Sequence, residues 1–457
     1  MTTIPTIAAI RFGYGLSPLH DPPADAEAVL IQLAEPDQAM VDFPIQTYAE
    51  AQPVGIALDK ALAVRRQDRL SKTADAEISR LNKQLRARYG LGFQANVARA
   101  AYSPLGFRER LTAFWADHFT VRAKVVRDIA GPSAFADEAI RPHIAGRFGD
   151  MLVAVVTHPM MLTFLDQSRS FGPNSTFATK RNRGLNENLA REILELHTLG
   201  VGGSYAQIDV RGFAELLTGL YYEPVKGFQF RPGMAEPGAE TVLGKSYGDE
   251  ARPKLADIIA ALQDIAVHPD TARHLAHKLA THFTADQPDE QLVEHISAAY
   301  SSSSGNLAVV YAALLEHPAT WASFGAKAKQ PYDFLVSSVR ALGVAQARFL
   351  ALGPEDIRDN FLVPLQLMGQ PYQEPNGPDG WAEEAEAWIT PQGLAGRIQW
   401  AMKTPELLTD QIPDPRSFVT TALGDAAGPQ LLLAAERAES LTQGVGIILA
   451  SPEFNRR

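Results

Sequence analysis

Apolar residues recur every three or four positions along most of the chain, and this period predicts α-helices rather than strands. Residues 107–124 give the clearest case, because Leu111, Phe114, Trp115 and His118 fall on one face of a helix with this period. Similar runs continue into the C-terminal third, as at residues 392–403 and 429–449. The pattern therefore predicts an all-α fold, a globular body of many helices.

Many of the predicted helices follow a polar or histidine residue and a proline. Proline is tolerated at the first position of a helix, and the preceding side chain can cap the helix. The chain has this arrangement at Ser103-Pro104, His158-Pro159, His268-Pro269, His317-Pro318, Thr404-Pro405 and Ser451-Pro452. We predict a helix start at each of these positions and a capping role for three of the histidines.

Residues 61–89 form a highly charged helical run. Leu62, Leu70, Ile78, Leu81 and Leu85 have the spacing of one buried stripe along it. We predict a helical arm over residues 58–90 that projects as a hairpin.

Few segments have the alternating pattern of a β-strand. The best are residues 228–231 and 241–243, which lie among many glycines and prolines. They predict at most a short β-hairpin near residues 226–245, within a loop insertion over residues 223–253.

Composition limits the classes of partner and chemistry. The chain has 457 residues, of which 46% are hydrophobic, and this is enough to bury a large core. A net charge of −10 argues against a nucleic-acid partner, and the absence of cysteine excludes thiolate catalysis. The sequence contains no apolar run long enough to span a membrane and shows no signal peptide, so the default location is cytoplasmic.

The most chemically loaded segment is residues 186–200, hereafter the central segment. At the helical period Asn188, Glu192 and Glu195 share one side, where the carboxylates could divide acid and base roles or hold a divalent cation with Asn188. A surface ion-pair ladder of Glu187, Arg191 and Glu195 explains the same pattern. Both interpretations remain open, and no motif identifies a cofactor.

Other candidates lie outside the central segment. His118 could pair with a carboxylate of that segment, or it could be a hydrogen-bonded core histidine. Asp166 could be a third carboxylate of the site, or it could serve a turn. Trp381, with Trp388, could form an aromatic platform for a substrate, or it could be packed in the core.

Two further sets of histidines have simple interpretations. His197 lies in the last turn of the central segment, where it is expected to complement the helix dipole. His274, His277 and His282 share one predicted helix, but their spacing lacks the zinc-protease pattern.

The central segment, with residues 203–205 and 209–219, resembles the signature of the bacterial domain of unknown function 1800 family. Supporting stretches are residues 11–15, 114–119, 165–166, 241–244, 368–370, 380–381 and 388–389. The resemblance implies an all-α bacterial protein with one family domain over residues 1–457, relatives that often look exported, and a sulfatase-like partner. It implies no established activity. The chain departs from the family in lacking an evident leader and a His-Asp type pair near residues 235–238.

Two hypotheses for function follow. The first is a hydrolase-type enzyme that acts on an envelope-associated polymer or a small ester. In it Glu192, Glu195 and His118 are catalytic, and Asn188, Asp166 and Trp381 bind substrate. The second is a non-enzymatic binding or assembly partner of the sulfatase-like protein, in which the same charges specify the fold.

Overall fold

Helices form most of the chain in the computed structural model, which describes residues 2–104, 106–181, 184–249 and 252–457. The predicted all-α body is confirmed, since two short two-stranded sheets are the only sheets in these ranges.

The α-helices are numbered in chain order. Up to residue 181 they are Ile4–Ile7 (α1), Ala26–Ala34 (α2), Gln38–Asp42 (α3), Tyr48–Gln67 (α4), Lys72–Tyr102 (α5), Phe107–His118 (α6), Gly131–Phe135 (α7), Phe148–Thr157 (α8), Pro159–Phe164 (α9) and Thr176–Arg181 (α10). They continue with Asn188–Glu192 (α11), Gln207–Leu216 (α12), Leu255–Ala266 (α13), Pro269–Phe283 (α14), Glu290–Ser302 (α15), Leu307–Glu316 (α16), Pro331–Ala341 (α17) and Gln346–Leu350 (α18). The last are Pro354–Ile357 (α19), Val363–Leu367 (α20), Ala385–Trp388 (α21), Pro391–Lys403 (α22), Pro405–Leu408 (α23), Pro415–Leu423 (α24), Pro429–Glu436 (α25) and Leu441–Ala450 (α26).

Wider π-helical turns interrupt or extend several of these helices. They lie at Ala8–Phe12, Ala136–Ile140, Ile193–His197 and Arg358–Leu362. Short 3-10 turns lie at Val126–Asp128, Arg141–His143, Gln167–Arg169, Pro318–Thr320 and Gly424–Ala426. A π turn adds one residue to its ring of hydrogen bonds, so it changes the direction of every side chain that follows.

The predicted histidine caps are present. Nδ1 of His158 accepts the N–H of Met160 at 3.1 Å, and Nδ1 of His268 accepts the N–H of Asp270 at 3.1 Å. His317 does the same for Ala319 at 3.3 Å, at the start of a 3-10 turn.

Two of the predicted helix starts are wrong. Ser103 follows the last residue of α5, and the next helix begins only at Phe107. Ser451 ends α26, and the hydroxyl of Ser451 accepts the N–H of Phe454 in a turn. In both cases the preceding helix runs into the Ser-Pro pair, where the proline stops it.

The charged run forms a helical hairpin, as α4 and α5 pack against each other. The hairpin turns at residues 68–71, so the run is two helices rather than one. The predicted stripe holds only in part: Leu81 and Leu85 are buried, whereas Leu62 is 38% exposed and Leu70 is 89% exposed. The turn breaks the helical period that would have aligned these side chains.

The region after α12 contains two β-hairpins where the sequence predicted at most one. Leu220–Glu223 (β1) pairs with Gly227–Phe230 (β2), and Glu240–Val242 (β3) pairs with Lys245–Tyr247 (β4), both antiparallel. The two candidate strands therefore pair with other segments rather than with each other. Glu250 and Ala251 of the predicted insertion lie outside the described residues.

The helices enclose two main apolar cores. The first is built from residues between Ala8 and Leu315, with α6, α8, α13, α14 and α16 as main contributors. The second combines the C-terminal half of α5 with residues 334–454. A small third cluster lies inside the α4–α5 hairpin.

Buried ion pairs lie where the two cores meet. Arg99 of α5 binds Asp137 through two hydrogen bonds, at 2.6 and 2.9 Å. Arg110 of α6 binds Asp333 of α17 at 3.0 Å. Each pair joins an element of one core to an element of the other, so charged groups hold the cores together.

Candidate functional site

The central segment and α6 meet through histidines. Nε2 of His118 lies 3.1 Å from the carbonyl oxygen of His197, and the two rings are 5.9 Å apart. His274 of α14 packs against the same group, and its Nε2 lies 3.0 Å from the carbonyl oxygen of Leu196. The His118 side chain thus contacts the backbone of the central segment rather than one of its glutamates.

This histidine cluster (His118, His197 and His274) is uncharged at neutral pH. Burial lowers the pKa of His197 to about 3 and that of His274 to about 4, with Lys278 adding to both effects. Burial also lowers the pKa of His118 well below its usual value. The expectation that His197 complements the helix dipole is therefore wrong, because that role needs a cation.

Asp117, the neighbour of His118 on α6, is held by a distant loop. Its carboxylate accepts the N–H of Trp381, at 3.0 Å to Oδ1 and 3.2 Å to Oδ2. Gly380 makes this approach possible: its φ is +84°, and a Cβ there would lie 2.7 Å from the carbonyl oxygen of Asp117. Only glycine meets both conditions.

The acidity of Asp117 is unusual. Burial raises the pKa of its carboxyl to about 7, although the Trp381 hydrogen bond acts in the opposite direction. The carboxylate forms no ion pair with any residue whose position the structure describes. A carboxyl of this kind can both donate and accept a proton near neutral pH.

Asp117 lines a cavity of about 160 Å³, hereafter the inner cavity, which lies between the two cores. Its apolar wall includes Phe114 and Phe135 of the first core and Leu365 of the second. Its acidic, arginine and histidine lining residues are Glu109, Arg110, Asp117, His282 and Asp333. The cavity is thus an apolar space with a few convergent polar groups, which is typical of small-molecule sites.

His282 and Glu383 form a carboxylate–histidine pair at this cavity. Nδ1 of His282 lies 2.6 Å from Oε1 of Glu383, and Nζ of Lys327 lies 3.0 Å from Oε2 of Glu383. Burial lowers the pKa of His282 to about 4, despite Glu383. Burial alone would raise the pKa of Glu383, but His282 and Lys327 hold it well below its usual value.

The pair leaves one nitrogen free. Because the Glu383 carboxylate can only accept, the neutral imidazole carries its proton on Nδ1. Nε2 of His282 is then a lone-pair acceptor, and it has no hydrogen-bond partner among the described residues.

A second, more open cavity of about 570 Å³ lies beside the first, hereafter the outer groove. One wall is α14, with His277, Lys278 and Thr281, and the other is formed by residues 376–384 and α21. Trp381 lines both cavities, so the two spaces are neighbours. Trp388 contributes to the groove but is only 3% exposed.

The predicted glutamates lie near the rim of this region. Burial raises the pKa of Glu192, and Glu195 and Asp379 raise it further. Asp379 lines the outer groove, which places Glu192 near that groove. Glu195 is bound by Arg191 at 3.0 Å, and Arg191 also binds Glu187 at 3.3 Å, so the surface ladder is present.

Two predicted substrate-binding residues lie outside both cavity linings. Asn188 is exposed, and its backbone N–H is donated to Oδ1 of Asn186. Asp166 has a left-handed backbone and an ion pair to Lys124 at 2.6 Å, with its side chain 42% exposed.

The histidines of α14 have three different environments: His274 joins the histidine cluster, His277 faces the outer groove, and His282 binds Glu383. Within residues 2–104, 106–181, 184–249 and 252–457, no group of three or more His, Asp or Glu side chains is placed to hold a metal ion. Of the residues of the cation site that the sequence allowed, Glu195 is bound by Arg191 and Asn188 is exposed.

Sequence reasoning missed Asp117, Lys278 and Glu383. Asp117 lies within residues 114–119, one of the stretches that carry the family resemblance. In that stretch the sequence pattern favoured the adjacent His118 as the candidate. Trp381 was singled out, whereas its link to Asp117 spans 264 positions.

The comparisons with known proteins give one result. The model of one family, described as "Protein of unknown function (DUF1800)", matches residues 7–456. No curated protein and no solved structure matches the chain. In the part of the chain that the structure describes, no helix has the length and apolar character needed to cross a membrane.

Proposed function

Because the chain belongs to the DUF1800 family, whose description names no activity, we propose a function from the chemistry of its own cavities. The protein is a hydrolase-type enzyme that acts on a small ester or on the ester groups of an envelope-associated polymer. The observation that carries the proposal is the Asp117 carboxyl, which is held by Trp381 at the wall of the inner cavity and titrates near neutral pH.

Asp117 and His282 have complementary properties. Both line the inner cavity, and opposite pKa shifts of two groups in one site are a common basis for assigning an acid and a base. In the proposed reaction Nε2 of His282 takes a proton from water while the water oxygen attacks the ester carbonyl. Asp117 then gives its proton to the alcohol oxygen as the carbon–oxygen bond breaks, which yields an acid and an alcohol. Glu383 keeps the His282 ring oriented.

The dimensions support a small acyl group. A dry apolar cavity of about 150 Å³ holds a molecule of the size of benzene, and the inner cavity has about 160 Å³. The outer groove has room for a longer attached portion. In this arrangement Trp381 separates the two parts of the substrate.

The test compares two kinds of ester. We expect the wild type to hydrolyse methyl esters of short acids in a pH-stat assay, and Asp117→Asn to lower kcat/KM by about 100-fold or more. The loss should be smaller for p-nitrophenyl esters, because nitrophenolate leaves without a proton. His282→Gln should slow both classes.

The matched control is Asp42→Asn, which makes the same chemical change at an exposed position of α3. It should leave kcat/KM within about threefold of the wild type, in keeping with an exposed surface change. The proposal fails if the wild type hydrolyses no ester of the series, or if Asp117→Asn keeps full activity on methyl esters.

The second candidate is the assembly partner of a sulfatase-like protein. The observation in its favour is the α4–α5 hairpin, where Leu62, Val64 and Leu70 are 38%, 49% and 89% exposed. Exposed apolar groups of this kind are typical of interaction surfaces when they lie together. Co-purification with the sulfatase-like protein should then be lost in Leu70→Asp and kept in Asp117→Asn.

A further inference from the structure

Lys278 is a half-buried cation without a partner in the described chain. It lies on α14 and lines the outer groove. No residue in the described ranges forms a hydrogen bond or an ion pair with it. The charges that interact most strongly with Lys278 are the carboxylates of Asp117, Glu383 and Asp379.

These carboxylates leave Lys278 largely uncompensated. Glu383 is already bound by His282 at 2.6 Å and by Lys327 at 3.0 Å. Asp117 is bound by Trp381, and its pKa of about 7 means that much of it is protonated at neutral pH. Asp379 and Glu384, which also line the groove, are exposed, so water screens their charges. Lys278 is therefore the one lysine or arginine in the lining of the groove, and no carboxylate of that lining is bound to it in the described chain.

We propose that Lys278 binds an anionic group of the substrate, a carboxylate or another small oxyanion, in the outer groove. The ammonium of Lys278 has no partner in the described chain, and an oxyanion would give it charge-assisted hydrogen bonds. The opposite wall includes Gly369, Gly377 and Gly380, which add no side chains to this space.

The inference rests on the proposed function and narrows its substrate class. The ester group occupies the inner cavity, and the anionic group lies past Trp381 in the outer groove. Half-esters of short dicarboxylic acids have this arrangement of groups.

The test measures binding rather than turnover, with succinate as the probe. Tryptophan fluorescence reports on the groove, because Trp381 and Trp388 both line it. Succinate is titrated at constant ionic strength against sodium chloride, and Trp381→Phe identifies the source of the signal. We expect saturable binding by the wild type, at least tenfold weaker binding by Lys278→Met, and binding within about threefold of the wild type by Lys278→Arg.

Lys83→Met is the matched control, since Lys83 is exposed on α5, and it should bind succinate like the wild type. The inference is overturned if the wild type shows no saturable binding, or if Lys278→Met and Lys278→Gln bind as tightly as the wild type. Asp117→Asn separates the two proposals: it should slow the hydrolysis of methyl esters but keep or strengthen succinate binding. If Asp117→Asn slows hydrolysis while Lys278→Met binds succinate like the wild type, the result refutes this inference alone.

Discussion

A loop that lies far away in the sequence contacts Asp117 and affects its pKa. Within residues 376–384, Gly380 lets the loop approach closely enough for Trp381 to donate its N–H to the Asp117 carboxyl. Burial raises the pKa more than this single hydrogen bond lowers it. The acid–base character of the site therefore depends on the position of the loop.

This raised pKa has a consequence for stability. In the folded protein Asp117 has a pKa of about 7, against 3.8 for a free aspartate. The folded state thus holds the proton more tightly, and the contribution of Asp117 to stability is lost as the pH rises from about 4 through 7.

Asp117→Asn removes the titration while keeping the shape and an acceptor for Trp381. We expect the variant to gain stability relative to the wild type by about 2–4 kcal/mol between pH 4 and pH 8. Urea unfolding at several pH values measures this difference. A difference that stays constant over the range would contradict the assigned pKa.

The sequence predicted the location of the site better than it predicted which residue carries the unusual pKa. His118 and Trp381 were both candidates, and both lie next to Asp117 or in contact with it. Asp117 itself had no distinguishing pattern, because groups that affect its pKa lie far along the chain, as Trp381 does at a distance of 264 positions. Helical periodicity records which face is buried, not what covers it.

The His-Pro pairs are local signals, and they were predicted correctly for that reason. A cap requires only the side chain before a helix and the N–H groups of its first turn. His158, His268 and His317 satisfy this requirement wherever their helices pack.

His268 offers the cleanest test of such a cap. His268→Ala should lower the free energy of unfolding by about 1 kcal/mol, because the N–H of Asp270 loses its acceptor. His268→Asn should recover most of the loss, since asparagine also caps helices. Urea unfolding of the three proteins measures both steps, and equal stability of the alanine and asparagine variants would argue against capping.

The central segment shows why a regular period can mislead. Ile193–His197 forms a π turn, and the hydroxyl of Thr198 donates to the carbonyl oxygen of Ile193 at 2.6 Å to close it. The extra residue directs His197 inward to His118, and Glu195 remains in the surface ladder. A sequence pattern based on the regular period of 3.6 residues does not predict this π turn.

The two cores and the ion pairs between them determine how the stability of the whole molecule responds to substitutions. The all-α class followed from periodicity, but the division into two cores did not, because no local pattern says which helices become neighbours. Arg99 and Asp137 illustrate the point: they are buried side chains from different cores, 38 positions apart.

Removing one partner of this ion pair should lower the free energy of unfolding more than replacing both partners by apolar residues. Asp137→Asn leaves the Arg99 guanidinium buried without its counter-charge, and we expect a loss of about 3–5 kcal/mol in unfolding free energy. The double change Arg99→Met with Asp137→Leu should cost less than the sum of the two single changes. Guanidinium unfolding followed by circular dichroism measures the cycle, and simple additivity would show that the pair does not act as a unit.

The position of the inner cavity also has a mechanical consequence. The space of about 160 Å³ lies between the two cores rather than inside either of them. A molecule bound there contacts side chains of both cores, so it holds the cores in one relative position. Because such a molecule binds only the folded state, it would stabilise the junction of the cores rather than either core alone.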